Sequence, residues 1–166
     1  MLSKKINQML NQQIELESSS SNVYLAMASW AEVNGYEGIS NFLYVHSDEE
    51  RGHMLKLFHF VNDRGGRAVV PAQKPLKQEY KGITEIFEDI LKHELKVSSE
   101  INNLVDACLK EKDYTTHNFL QWYVSEQIEE ERLARTLLDK LKLIGSDKGG
   151  LYLFDRDLMT VKTEGN

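Results

Sequence analysis

The chain has 166 residues, of which 41% are hydrophobic and 28% are charged, and its formal net charge is −6. This composition fits one soluble globular domain and excludes disordered or collagen-like chains, and the scattered basic residues argue against nucleic acid as a partner. No apolar run approaches the ~20 residues of a membrane span, the start lacks a secretory signal, and the lone Cys108 cannot form an internal disulfide, so we expect a cytosolic protein with Cys108 in its core.

Four long segments carry apolar residues at steps of three and four, the spacing that predicts amphipathic helices. Turns that contain glycine end the first, second and fourth segments, and a short break separates the third from the fourth. We expect one domain over residues 1–166, with a helical bundle over about 5–144. The apolar seams of the four predicted helices cover, in chain order, residues 10–31, 39–60, 83–108 and 120–141.

Both prolines, Pro71 and Pro75, lie in the one long interval without helical spacing, between Gly65 and Tyr80. About 15 extended residues reach ~50 Å, while a helix of about 28 residues is ~42 Å long. The interval can therefore run the full length of a bundle, so that the second and third helices are parallel. The prediction is an all-α four-helix bundle with a long crossover between helices two and three.

A short apolar segment follows the glycines near residue 150. It comprises residues 151–154 and continues with Leu158 and Val161, which is too apolar for a loose tail. The pattern fits two arrangements. One is a short fifth helix over about 148–160 that packs on a neighbouring subunit, and the other is a strand-like segment against its own bundle.

Each predicted helix is interrupted near its middle by a carboxylate where the spacing calls for an apolar side chain. In two helices a second polar group lies three residues away, so that both point the same way. No lysine or arginine occupies these positions, and isolated buried carboxylates cost many kcal/mol, so the pattern predicts bound cations. The interrupting groups are Glu17, Glu50 with His53, Glu94, and Gln127 with Glu130.

Two divalent cations would balance four carboxylates, with one carboxylate from each half free to bridge them. Oxygen ligands with one imidazole suit iron or manganese, whereas structural zinc prefers thiolates and calcium rarely accepts histidine. We expect iron, and a coupled pair of iron ions open to oxygen indicates redox chemistry.

Other polar residues near the interruptions have weaker signals. Tyr24, one heptad after Glu17, could hydrogen-bond a ligand or give up an electron, although a seam tyrosine is by default core. Glu49, Glu126 and Glu129 flank the candidate ligands and could form a third metal position, although acidic helix faces are usually only solvated. The remaining histidines are interpreted as structural or surface residues: His46, His59, His93 and His117.

The pattern of interruptions, with Gln127-x-x-Glu130 in place of a second Glu-x-x-His, resembles the ferritin family over nearly the whole chain, and is similar to its bacterial non-haem members. A bacterioferritin would have histidine where Glu130 stands, and its haem-binding methionine would fall at Gly52, so we expect no haem. The resemblance implies a ferritin-like bundle with a short C-terminal helix. It also implies a hollow shell of 24 identical subunits that takes up Fe(II), oxidises it with oxygen or hydrogen peroxide and stores ferric mineral.

Within each subunit the resemblance implies two adjacent iron positions and a third beside them. Gln127 would orient the oxygen species, and Tyr24 would lie close by. Asn118 and Gln121, which would line three-fold channels, are neutral, so the resemblance does not identify the route by which iron enters. The first iron would be held by Glu17, Glu50 and His53, the second by Glu94, Glu130 and the bridging Glu50, and the third by Glu49, Glu126, Glu129 and Glu130.

Three other functions fit parts of the pattern. A discrete di-iron peroxidase or oxidase of the rubrerythrin type would turn over with a reductant and store no mineral, but the chain lacks a Cys-x-x-Cys rubredoxin module. A metal-free helical interaction protein would keep its buried acids protonated. A small DNA-protecting ferritin relative would place its iron at a subunit interface, whereas the ligands predicted here lie within one chain.

Overall fold

The computed structural model describes residues 1–159, and within them five α-helices follow one another without any strand. This confirms the all-α prediction. Val161 and the last residue of the predicted fifth helix lie outside the described residues. The helices are α1 (Lys4–Val33), α2 (Glu37–Asp63), α3 (Ile83–Glu111), α4 (Tyr114–Ile144) and α5 (Lys148–Leu158).

Local capping explains where several helices begin. The side chains of Ser3, Asp113 and Asp147 each accept a hydrogen bond from a backbone N–H in the first turn of α1, α4 and α5. Such caps satisfy amide groups that have no partner inside the helix. Between α1 and α2 the chain turns at Gly35, whose φ of +82° is a conformation that side chains disfavour. α1 with α2, and α3 with α4, therefore form two tight helical hairpins.

The crossover between α2 and α3, residues 64–82, runs along α1. The backbone N–H of Val69 donates to the side-chain oxygen of Asn11 (2.8 Å), near the start of α1. The Tyr80 ring packs edge-on against Trp30, 5.8 Å between ring centres, near the end of α1. Because α3 begins where α1 ends, it runs antiparallel to α1 and parallel to α2, as the sequence predicted.

The hydrophobic core has two halves, one on each side of the polar residues in the middle of the bundle. One half contains Leu10, Leu57 and Cys108, which is buried as expected. The other half contains Phe87 and is closed by Phe154 of α5. None of the helices within residues 1–159 is long and apolar enough to cross a membrane.

α5 packs on its own bundle as a helix. Phe154 and Leu158 are buried there, and Asp155 accepts a hydrogen bond from the backbone N–H of Ile39 (2.9 Å). A side chain at Gly38 would collide with the backbone carbonyl of Asp155, so only glycine permits this approach. The structure thus takes one part of each arrangement considered from the sequence. The segment is a helix, as in the first, and it packs on its own bundle, as in the second.

Candidate metal centre

The polar interruptions of the four helices meet in the middle of the bundle. Since α1, α2, α3 and α4 each supply at least one, the site depends on the packing of all four long helices. Glu130 is half-buried and is the most accessible of the group. The others are buried: Glu17, Glu50, His53, Glu94 and Gln127.

Glu17, Glu50 and His53 form one group that could hold a metal ion. One candidate ligand atom from each lies within 4.8 Å of the others. The Oε2 atom of Glu50 is 3.8 Å from Nδ1 of His53, and it has no hydrogen-bond partner among residues 1–159. A buried carboxylate oxygen without a partner is costly, and a cation would satisfy it. The donor set of two carboxylates and one imidazole fits a divalent iron ion.

Burial governs the protonation of this group. It raises the pKa of Glu17 to about 7. It also raises the pKa of Glu50 well above the ordinary value, and the neighbouring charge of Glu17 adds to this effect. Burial lowers the pKa of His53 to about 4, so its imidazole is neutral and able to bind a metal at neutral pH. A cation that binds here must therefore displace protons from the carboxyl groups.

Glu94 is held by hydrogen bonds on both of its oxygens. The Tyr24 hydroxyl donates to Oε1 (2.8 Å), and the Gln127 amide donates to Oε2 (3.2 Å). The same amide lies 3.3 Å from the Ser98 hydroxyl. Burial raises the pKa of the Glu94 carboxyl, and burial together with the charge of Glu94 raises the pKa of the Tyr24 hydroxyl. Tyr24 and Gln127 thus position Glu94, which is a candidate ligand although it is not part of the group formed by Glu17, Glu50 and His53.

A second group of three candidate ligands contains His46, Glu49 and Glu130. The His46 Nε2 atom lies 3.9 Å from a carboxylate oxygen of each glutamate. Burial raises the pKa of Glu130 to about 8. This position differs from the interpretation of His46 as a structural or surface residue. His46 occupies the same apolar seam as Glu50, one helical turn earlier, and that shared seam is the sequence signal for a place near the metal centre.

The three acids expected at a third metal position do not form one group in the structure. Among residues 1–159, Glu49 joins His46 and Glu130, while Glu126 approaches Nε2 of His53 at 3.9 Å. Burial and the charges of Glu129 and Glu49 raise the pKa of Glu126. Glu129 is exposed.

The other histidines lie outside both groups. His93 is half-buried, its Nε2 atom lies 2.5 Å from the Ser20 hydroxyl oxygen, and the partial burial lowers the pKa of His93 to about 4. His59 is exposed. His117 lies near the side chain of Gln121 on α4. These positions agree with their interpretation as structural or surface residues.

Comparisons with known proteins agree with this architecture. The family model for a ferritin-like domain matches residues 7–144. The probable bacterial non-heme ferritin-like protein of Haemophilus influenzae is 46% identical over 164 residues, which cover 99% of each chain. The bacterial non-heme ferritin of Campylobacter jejuni is 42% identical over 161 residues, 97% of this chain and 96% of that one.

Solved structures share the fold over the same length. An open pore ferritin from the archaeon Archaeoglobus fulgidus superposes with a TM-score of 0.95 at 41% identity and covers 98% of this chain and 100% of its own. A humanized archaeal ferritin gives a TM-score of 0.96 at 40% identity, with 99% and 100% covered. The fifth helix therefore belongs to the shared fold.

Proposed function

Because the chain belongs to the ferritin family, we propose that it stores iron by oxidising Fe(II) inside each subunit and depositing the ferric product within a shell of identical subunits. The observation that supports this most strongly is the buried group of Glu17, Glu50 and His53, in which one Glu50 oxygen has no hydrogen-bond partner among residues 1–159. Such a group is costly as a structural element and useful as a cation site.

In this proposal the substrate is a pair of Fe(II) ions. Glu17, Glu50 and His53 hold one ion, and Glu94 and Glu130, with Glu50 as the bridge, hold the other. Two Fe(II) ions supply two electrons, which with two protons reduce one oxygen molecule to hydrogen peroxide, or one hydrogen peroxide to two waters. The carboxyl groups release protons as the iron binds, since their raised pKa values keep protons on them until a cation arrives.

The neighbouring side chains prepare the second iron position. Tyr24 and Gln127 donate hydrogen bonds to the two Glu94 oxygens and keep the carboxylate facing the centre of the bundle. Gln127 also serves to orient the oxidant, and Tyr24 lies close enough to act on the same centre. Glu49, Glu126 and Glu129 provide negative charge beside Glu130, which attracts further cations.

The proposed shell has 24 subunits and lies in the cytoplasm. Exposed apolar side chains on α5, Tyr152 and Leu153, support a role for that helix in contacts between subunits. Haem is not part of the proposal, because Gly52 offers no ligand for it.

The test is to add Fe(II) in air to the purified apoprotein, and to follow iron oxidation and the size of the particles together. We expect oxidation faster than in buffer, many iron atoms retained per subunit, and elution as a large shell. Oxidation no faster than buffer, or a monomer on the sizing column, would overturn the proposal. Glu50→Gln should abolish the fast oxidation, while Glu88→Gln, at an exposed position on α3, should leave it unchanged.

A further inference from the structure

The buried Gln127 amide lies within hydrogen-bond distance of three oxygen atoms. Its Nε2 atom is 3.2 Å from Oε2 of Glu94, 3.3 Å from the backbone carbonyl oxygen of Glu94 and 3.3 Å from the hydroxyl oxygen of Ser98. An amide NH₂ group donates and its carbonyl oxygen only accepts, so these contacts require Nε2 on this side. Ser98 supplies the one contact that does not come from Glu94 itself.

The Ser98 hydroxyl gives its own proton to Glu131. Its Oγ atom donates to Oε1 of Glu131 at 2.5 Å, a hydrogen bond that joins α3 to α4. The other oxygen of Glu131, Oε2, accepts from Nη2 of Arg135 at 3.4 Å, so the carboxylate is held on its outer side as well. A hydroxyl group has one hydrogen, so Ser98 meets the Gln127 amide with a lone pair and can only accept from it.

The direction of these hydrogen bonds decides which atom of Gln127 faces Glu94. A glutamine amide turned by 180° exchanges its NH₂ group for its carbonyl oxygen at almost the same volume, so the two orientations differ mainly in their hydrogen bonds. When Glu94 is an ionised ligand, its oxygens cannot donate to a carbonyl. Ser98 could donate to the turned amide, but Glu131 already takes its proton. The turned orientation is therefore disfavoured.

The outer end of this chain of hydrogen bonds lies at a surface cavity between α3 and α4. The cavity, of about 420 Å³, is lined by Ser98, Gln127 and Glu131 among other residues. Ser98 and Glu131 are half-buried, whereas Glu94 is buried. The chain thus runs from the cavity to a candidate metal ligand, and its outer members can be changed without removing any proposed ligand.

We propose that Ser98 and Glu131 are positioning residues for the second iron position. Glu131 makes the Ser98 hydroxyl an acceptor, and Ser98 then holds the Gln127 amide with Nε2 toward Glu94. This inference rests on the proposed iron function, because it requires an ion between Glu94 and Glu130. Neither positioning residue contacts that ion. Their contribution is to keep a donor on the Glu94 carboxylate, as partners of metal ligands commonly do.

The test uses Zn²⁺, which binds the same ligand types as Fe(II) but has no redox chemistry. Crystals of the assembled protein, stripped of metal, are soaked over a series of Zn²⁺ concentrations, and zinc is located by anomalous diffraction. The measured quantity is the half-saturating concentration at the second position divided by that at the Glu17–Glu50–His53 position. A general loss of stability would weaken both positions, so this ratio isolates the second one.

Three serine variants test the Ser98 hydroxyl. Ser98→Ala should raise the ratio by about 3- to 10-fold, the effect of losing one hydrogen bond near a ligand. Ser98→Thr keeps a hydroxyl and should restore a ratio near that of the unmodified protein. Ser99→Ala makes the same chemical change at the next, exposed residue and is the matched control, with no change expected. Equal ratios in Ser98→Ala and Ser99→Ala would overturn the proposal.

A double-mutant cycle tests whether both residues act through Gln127. In a Gln127→Leu background, Ser98→Ala should have no further effect, because the amide that it orients is gone. Glu131→Leu should raise the ratio in the original background and have a smaller effect in Gln127→Leu, where only its charge still matters. An undiminished effect of both substitutions in the Gln127→Leu background would contradict a positioning role.

Failure of this inference is distinguishable from failure of the proposed function. Absence of zinc from the position between Glu94 and Glu130 in the unmodified protein, with Fe(II) oxidation no faster than in buffer, would overturn the proposed function and this inference with it. Zinc at both positions, fast oxidation and a ratio unchanged in Ser98→Ala would overturn this inference alone.

Discussion

The Tyr24 hydroxyl of α1 donates a 2.8 Å hydrogen bond to the Glu94 carboxylate of α3. Both side chains are buried, and this bond crosses between the two helical hairpins. It satisfies one oxygen of a carboxylate that the apolar core would otherwise strongly destabilise. The Tyr24–Glu94 bond therefore links the stability of the bundle to the geometry of the candidate metal centre.

Tyr24→Phe should destabilise the apoprotein by about 1 to 3 kcal/mol, the typical cost of leaving a buried polar group without its partner. It should also slow iron oxidation, because Glu94 loses one of the two bonds that orient it. The measurements are the midpoint of thermal unfolding and the initial rate of Fe(II) oxidation.

Tyr44→Phe is the matched control for that variant. Tyr44 also donates to a carboxylate, Glu32 at 2.6 Å, but this pair lies at the surface. Its loss should change stability by less than about 1 kcal/mol and leave oxidation unchanged. Equal destabilisation by the two substitutions would contradict the buried role of the Tyr24–Glu94 bond.

Glu50→Gln should make the apoprotein more stable and the metal site weaker. The amide group can donate a hydrogen bond toward Glu17, as the protonated carboxyl group does, but it cannot ionise, so the substitution removes a negative charge that burial and the charge of Glu17 disfavour. We expect the thermal midpoint of the apoprotein to rise, and the further rise caused by Zn²⁺ to shrink. A lower apoprotein midpoint with an undiminished zinc effect would show that Glu50 is a structural residue.

The stability of the apoprotein should fall as the pH rises from 6.5 to about 8.5. Burial holds the pKa of Glu17 at about 7 and that of Glu130 at about 8, above their ordinary value of 4.5. The unfolded chain releases these protons at a lower pH than the folded chain does. The stabilisation present below pH 4.5 is therefore lost as the pH rises through the folded pKa values. Each group lowers the stability by up to about 1.4 kcal/mol per pH unit between its ordinary pKa and its folded pKa, and this effect ends once the folded group has lost its proton.

This pH window separates the carboxyl groups from the histidines. Burial lowers the pKa of His53 and of His93 from 6.5 to about 4. The stability that depends on their neutral form is therefore fully present above pH 6.5 and falls only in more acidic solution. Urea unfolding at several pH values, with and without Zn²⁺, measures the effect. Zn²⁺ should reduce the pH dependence, because it displaces the same protons. Stability that is constant from pH 6.5 to 8.5 would contradict the raised carboxyl pKa values.

The sequence was sufficient for the helices and for the polar centre, because both depend on spacing along one helix. Apolar steps of three and four located α1 to α4, and a carboxylate in an apolar seam, such as Glu94, is buried wherever its helix packs. The length of the interval around Pro71 was enough to predict a crossover. Helix periodicity and the length that a segment can span are local properties, so one segment of sequence predicts them without knowledge of the helices that pack against it.

Relationships between helices were not available from the sequence. Whether the Nε2 atom of His46 faces Glu130 depends on the rotation of α2 against α4, which no spacing within α2 reveals. The separation of Glu49 from Glu126 depends on the same packing and on side-chain rotamers. The docking of α5 likewise depends on contact between Gly38 and the backbone at Asp155, two positions distant in sequence.

Gly38→Ala should displace α5. A methyl group at this position would collide with the carbonyl of Asp155, and backbone cannot yield as a flexible side chain can. The burial of Phe154 and Leu158 depends on that approach, so we expect faster proteolysis within residues 148–159, a lower thermal midpoint and a smaller fraction of assembled shell. Limited proteolysis and a sizing column measure these effects.

Gly52→Ala is the matched control. Gly52 is also in α2, and a methyl group there has open space. Alanine favours a helix over glycine by about 1 kcal/mol, so this variant should be as stable as the original protein or more stable. Similar loss of α5 protection in both variants would show that glycine content in α2, rather than the contact with Asp155, controls the docking of α5.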